Sequence, residues 1–164
     1  MHSPLWTPST HRIEQAQITK FIAGINKRHA EAAITDYATL HDWSLQNPEL
    51  FWSAIWDFGE VRSSVRTEMV LLDGDKFPGA RWFPEAKLNF AENLLRRRDE
   101  HTALVSLLED GSRREISYAQ LYRQVAGVAS AMQSHGVIAG DRVAGFMPNV
   151  AETVVAMLAA ASIG

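Results

Sequence analysis

The sequence predicts an α/β protein, in which a helical, loop-rich first part packs on the first strand–helix units of a larger, truncated parallel α/β domain. Three observations predict it. After residue 100 the pattern runs strand, hairpin, strand, helix, strand, helix, the grammar of a parallel α/β sheet. Before residue 100, apolar residues recur at helical spacing between irregular stretches. The last helix is apolar on every side and stops where a further strand is due. The division falls near residue 100, giving parts 1–100 and 101–164.

In the first part, Ile13, Ala16, Phe21, Ile22 and Ile25 form one stripe, which predicts an amphipathic helix over 11–29. A second helix begins at Asn47 as N-cap, with Pro48 in the first helical position and Glu49 at the positive end of the dipole. Phe51, Trp52, Ile55 and Trp56 then make an aromatic face, and helical spacing explains them as core rather than as a binding cage. Glu68 to Leu72 reads as a short strand followed by a turn at Asp73-Gly74-Asp75. Residues 79–84 carry bulky apolar side chains and read as an ordered extended loop. Asn89 caps a helix through Phe90, Leu94 and Leu95, with Arg96, Arg97 and Arg98 at its negative end. A solvated helix end explains those arginines better than a phosphate site does.

In the second part, Ala103 to Glu109 is a strand, Asp110-Gly111 a hairpin turn and Arg114 to Ser117 the returning strand. Ser117 and Gln120 form a capping box. The helix they open buries Leu121, Val125, Val128 and Met132, and Gly136 ends it. Asp141 to Met147 reads as the next strand, and Asn149 with Glu152 as a second helix start running to Ile163. Val154, Val155, Met157, Leu158 and Ile163 surround this last helix, more than one small sheet can cover. The chain is therefore expected to self-associate through residues 150–163.

Composition excludes several classes. The chain has 164 residues, 46% apolar and 21% charged, with formal charge −3, so nothing draws it to nucleic acid or an anionic membrane. It has no cysteine and no secretory leader pattern at Met1-His2-Ser3-Pro4-Leu5-Trp6, which fits a cytoplasmic protein. The longest apolar run, Thr153 to Ile163, is well short of the roughly 20 residues a spanning helix needs. No phosphate loop, dinucleotide fingerprint, nucleophile elbow or HExxH is present. Gly136, Gly140 and Gly145 bracket a strand without the Lys-Ser or Lys-Thr that would hold phosphate. His2, His11, His29, His41, His101 and His135 lack metal-ligand spacing. From the residues alone, no catalytic, cofactor-binding or metal-binding position is assigned.

Four stretches carry a resemblance. They are Pro4-Leu5-Trp6-Thr7-Pro8-Ser9; Leu40 through Asn47-Pro48-Glu49-Leu50-Phe51-Trp52; Trp82-Phe83-Pro84-Glu85-Ala86-Lys87-Leu88-Asn89-Phe90-Ala91-Glu92-Asn93-Leu94-Leu95; and Ile116 to Leu121 with Gly136-Val137, Gly140 to Val143, Pro148-Asn149 and Glu152. Together they resemble the acetate/acetoacetate branch of the adenylate-forming acyl-CoA synthetases. The third stretch, with Gly79-Ala80-Arg81 before it, looks like the acetoacetate-using enzymes. The resemblance implies an amino-terminal cap segment followed by the incomplete start of an AMP-binding domain. It implies a two-step ligase reaction: acid and ATP give an acyl-adenylate and pyrophosphate, and CoA then gives acyl-CoA and AMP. It also places the phosphate loop, the ribose-binding aspartate, the catalytic lysine and the ATP, Mg and CoA contacts beyond residue 164. Asn89, Asp141 and Asn149 match the family pattern, with caps and turns as their explanation. Alternatives are an acetyl- or propionyl-CoA synthetase fragment, a non-catalytic interaction module using the Trp-rich half, and a small flavodoxin-like nucleotide binder.

Overall fold

Local signals start most of the helices in the computed structural model, which describes residues 5–164. Residues 1–4, including His2 and the first residue of the Pro4-Leu5-Trp6 opening, lie outside the described residues. Two compact units form. The first comprises residues up to Val61 together with Thr67–Pro84, and the second comprises Arg62–Arg66 with Glu85–Gly164.

In the first unit the helix expected over 11–29 is two helices, α1 (Thr10–Gln15) and α2 (Gln17–Arg28). Ala16 between them is extended, at φ −65° and ψ 142°. The Thr19 hydroxyl donates to the Ile13 carbonyl at 2.6 Å, which also accepts the Ala16 N–H at 3.1 Å. A 3₁₀ turn, Ala30–Ala32, follows. Helix α3 (Tyr37–Gln46) has no counterpart in the sequence reading. It is started by a capping box in which Asp36 accepts from the Thr39 N–H and the Thr39 hydroxyl accepts from the Asp36 N–H. Helix α4 (Pro48–Phe58) has Asn47 in the N-cap place and Pro48 at its start. The Asn47 side chain does not cap it; its amide donates backward to the Trp43 carbonyl at 3.2 Å, at the end of α3.

Phe21, Ile25, Ile34, Leu40, Trp43 and Ala54 form the core of this unit. Asn26 clamps the backbone of Ile34 in both directions, donating at 2.7 Å and accepting at 2.9 Å. The aromatic face predicted on α4 is used in packing: Phe51 meets Phe21 edge-on at 5.9 Å, Trp52 meets Trp82 at 5.7 Å and Trp56 meets Phe83 at 4.7 Å. Strands β1 (Leu71–Leu72) and β2 (Arg81–Trp82) pair antiparallel, so the loop read over 79–84 contributes a strand.

In the second unit α5 (Phe90–Leu94) is short, and Arg96, Arg97 and Arg98 lie beyond its end. They are exposed, as a solvated helix end would be, and two of them also lie over tyrosine rings. Arg98 lies 3.8 Å over the Tyr122 ring, and Arg97 lies 5.3 Å over the Tyr118 ring while pairing with Asp99 at 2.8 Å. Strands β3 (Thr102–Leu107) and β4 (Arg113–Ser117) form an antiparallel hairpin with Leu104 opposite Ile116. Gly111 takes φ +80° in its turn, and the Ser112 N–H donates to the Asp110 carboxylate. Both halves of the capping box at Ser117 and Gln120 are present, opening α6 (Tyr118–Ser134). Gly136 follows at φ +89°.

The strand predicted over Asp141–Met147 is not formed. Residues 141–147 are exposed and join no ladder among the described residues, and both ladders present are antiparallel. A strand needs a hydrogen-bonding neighbour; the hairpin supplies its own, and 141–147 has only a helix beside it. That helix, α7 (Ala151–Ile163), has Val150 as N-cap with no side-chain bond, so Asn149 does not cap it. It packs against α6, α5 and β3. Ala151, Val155, Leu158 and Ala159 join Ala91, Leu95, Ile116, Leu121 and Val125 in the core. The helix is therefore not bare all round: Val154 and Ile163 are half-buried, and Met157 keeps 52% exposure. No helix among the described residues is long and apolar enough to cross a membrane.

Candidate functional site

The candidate is the 85–95 stretch together with what it touches in the second unit, and its polar geometry is set by two asparagines. Asn89 precedes α5 with extended backbone, and its side-chain oxygen accepts from the Glu92 N–H at 3.0 Å. Its amide nitrogen points elsewhere, donating to the carbonyls of Ala161 at 2.8 Å and Ser162 at 3.4 Å in the last turn of α7. Asn93 lies one turn on. Its oxygen accepts from the Arg62 N–H at 2.8 Å, and its nitrogen donates to the Arg62 carbonyl at 2.9 Å and to the Asn89 carbonyl at 2.9 Å. Beside this clamp, Ser64 and Lys87 bond through their backbones at 2.8 Å, and Val65 and Lys87 form an antiparallel bridge. The amides of Asn89 and Asn93 thus brace residues 62–66, α5 and α7.

The titratable groups nearby are held for structure. Arg97 holds the Asp99 carboxyl below its ordinary range, with the His101 N–H assisting. Thr102 and then Arg113 do the same for Glu115, Ser112 for Asp110, and Arg114 for Glu152. Each is an exposed carboxylate committed to a local partner, and none is poised near neutrality as a general acid would be. Among the described residues no three His, Asp or Glu side chains converge as a metal site, and no buried side-chain polar atom lacks a partner. An apolar groove lies between Val143, Ala144, Gly145 and Met147 and the Thr153, Ala156, Met157 and Ala160 side of α7.

Residues 37–94 match the family described as acetyl-coenzyme A synthetase N-terminus, and residues 90–164 match the AMP-binding enzyme family. The acetoacetyl-coenzyme A synthetase of Rhizobium meliloti (strain 1021) is 40% identical over 161 residues, 98% of this chain and 24% of the relative. The solved acetoacetyl-CoA synthetase from Streptomyces lividans superposes with a TM-score of 0.89 at 42% identity, covering 99% of this chain and 26% of that one. The chain is similar to the amino-terminal segment of acetoacetyl-CoA synthetases and spans about a quarter of the length of the relatives it matches. The malonamoyl-CoA synthetase of Penicillium aethiopicum is 35% identical over 167 residues, 98% of this chain and 23% of that relative.

Of the positions that match the synthetase pattern, Asn89 does more than cap, and Asn149 makes no cap. Asp141 accepts the Ile138 N–H at 2.9 Å, a turn contact. Sequence reasoning gave Asn93 no role of its own. Its only signal was spacing, since 89 and 93 lie four apart and so share one face of a helix.

Proposed function

We propose that this chain is the amino-terminal segment of an ATP-dependent acetoacetate–CoA ligase, with 1–100 as its cap segment and 101–164 as the start of its AMP-binding domain. One observation carries the reading: 99% of the chain superposes on an acetoacetyl-CoA synthetase at 42% identity. In the whole protein, an acetoacetate carboxylate oxygen bonds to the α-phosphorus of ATP and pyrophosphate leaves. The CoA thiol then bonds to the acyl carbon, and AMP leaves with the former carboxylate oxygen. The malonamoyl-CoA relative supports a substrate class, short acids with a second carbonyl β to the carboxylate.

The residues of this chain supply architecture, and the contacts to ATP, Mg and CoA belong to the remainder of a cytoplasmic enzyme. Within that enzyme, 141–147 becomes a strand of a parallel sheet. Alone, the chain binds neither ATP nor CoA usefully and self-associates through its carboxyl-terminal apolar surface. On this reading that surface includes Phe146, 108% exposed, and Met157; Val155 and Leu158 are buried.

Pyrophosphate release by the whole protein tests the substrate: it is faster with acetoacetate than with acetate, and a clear preference for acetate overturns the assignment. For the 164-residue chain, calorimetry detects no saturable ATP or CoA binding tighter than about 100 µM, roughly −5.5 kcal/mol. Light scattering tests association, which weakens when Phe146 and Met157 are replaced by Lys; a chain monomeric at high concentration overturns it.

A further inference from the structure

We infer that Asn89 is a positioning residue that fixes the carboxyl end of α7 and, through it, the turn at Gly140. This inference stands independently of the ligase reading. The last four carbonyls of a helix have no partner within it and carry the negative end of its dipole. At α7 two of these, on Ala161 and Ser162, are met by the Asn89 amide. The next carbonyl but one, on Gly164, accepts the Gly140 N–H at 2.8 Å. Little slack exists there: a Cβ added to Gly164 would sit 3.2 Å from the Ala139 Cβ. Holding the last turn of α7 therefore holds residues 139 and 140, which lead into 141–147.

Capping and positioning use different atoms, so they are separable. Capping α5 requires only an acceptor, the side-chain oxygen facing the Glu92 N–H. Gripping α7 requires a donor that also reaches Ala161. Asparagine supplies both. Aspartate keeps the acceptor and is as good an N-cap, but it turns a charged oxygen toward two carbonyls. Serine also caps, and its hydroxyl is too short to reach α7. Asn93 is an internal reference, because it grips Arg62 rather than α7.

The test is residue-resolved amide hydrogen exchange on the intact 164-residue chain carrying Asn89→Asp or Asn89→Ser. Glu92 N–H protection stays within about twofold of the unsubstituted chain in both variants, while Gly140 N–H protection falls about fivefold or more. The Val125 N–H, inside α6, keeps its protection and shows that the chain remains folded. If Asn89→Asp unfolds the chain, Asn89→Ser carries the same comparison. A smaller loss at Gly140, an equal loss at Glu92 and Gly140, or a Gly140 N–H unprotected before substitution overturns the inference.

Discussion

Residues 103–109 and 141–147, Ala-Leu-Val-Ser-Leu-Leu-Glu and Asp-Arg-Val-Ala-Gly-Phe-Met, are short runs in the second unit that both read as strands. The first forms β3 because its partner is near at hand: Asp110 and Gly111 turn the chain, and Arg113–Ser117 returns beside it. The second has no such return. A turn-linked strand carries its hydrogen bonds with it, whereas a strand followed by a helix depends on neighbours that the local sequence does not supply. Apolar alternation records an ability to lie in a sheet, and pairing decides whether it is used.

Substitutions sharpen this contrast. The largest effect is expected where side chains of the second unit are enclosed. Leu158, 2% exposed, should cost about 2–4 kcal/mol when changed to Ala. Phe146, 108% exposed, should change stability by less than about 0.5 kcal/mol when changed to Ala. Urea unfolding measures both, and a large loss at Phe146 would show that 141–147 is packed after all.

Backbone strain should separate the two segments next. Gly111 needs its φ of +80°, so Gly111→Val should cost about 1–3 kcal/mol and loosen the hairpin. Gly145 is not at positive φ, and its nearest neighbour, the Met147 sulfur, would be 3.6 Å from an added Cβ. Gly145→Val should stay within about 0.5 kcal/mol by the same urea measurement. Equal costs would mean that the turn does not hold the hairpin.

The helix starts after each segment differ as well, by a smaller amount. Ser117→Ala removes a complete capping box and should lower stability by about 1 kcal/mol. Asn149→Ala should be neutral in thermal melts, since α7 begins at Val150 without a side-chain cap. A cost at Asn149 would reveal a bond that this geometry lacks.

The smallest effect is acid sensitivity. Asp99, Asp110 and Glu115, in and around the hairpin, are all held below their ordinary pKa range by hydrogen bonds and arginines. Such groups add stability that is fully present above the unfolded values, about 4, and is lost as pH falls through the lower folded values. The thermal midpoint should be flat between about pH 5 and 7 and decline below about pH 4. Glu115→Gln should flatten that decline, and an unchanged decline would place the acid sensitivity elsewhere.

Legibility followed distance along the chain. The Ser117–Gln120 box, the Asp110-Gly111 turn and the Asn89 cap were readable because each bond joins residues at most a few positions apart. Helix α3 was equally local but used Asp36 and Thr39 instead of the Glu or Gln that marks a capping box, and so passed unread. The break at Ala16 was hidden because an apolar stripe continues across it. The second role of Asn89 was beyond reach, because Ala161 lies 72 residues away.

The sequence by itself determined where helices start and stop, which faces are apolar and which family the 82–95 stretch resembles. Capping, turn geometry and periodicity act over a few residues, and so they are written in order along the chain. The tertiary structure alone decided that α7 is covered on most sides, that Arg97 and Arg98 lie over tyrosines, and that 62–66 joins Lys87 and Asn93 in the second unit. It also decided that two asparagine amides brace segments far apart in sequence. Those outcomes depend on which surfaces meet, and an asparagine that only caps has the same local sequence as one that also grips a distant helix.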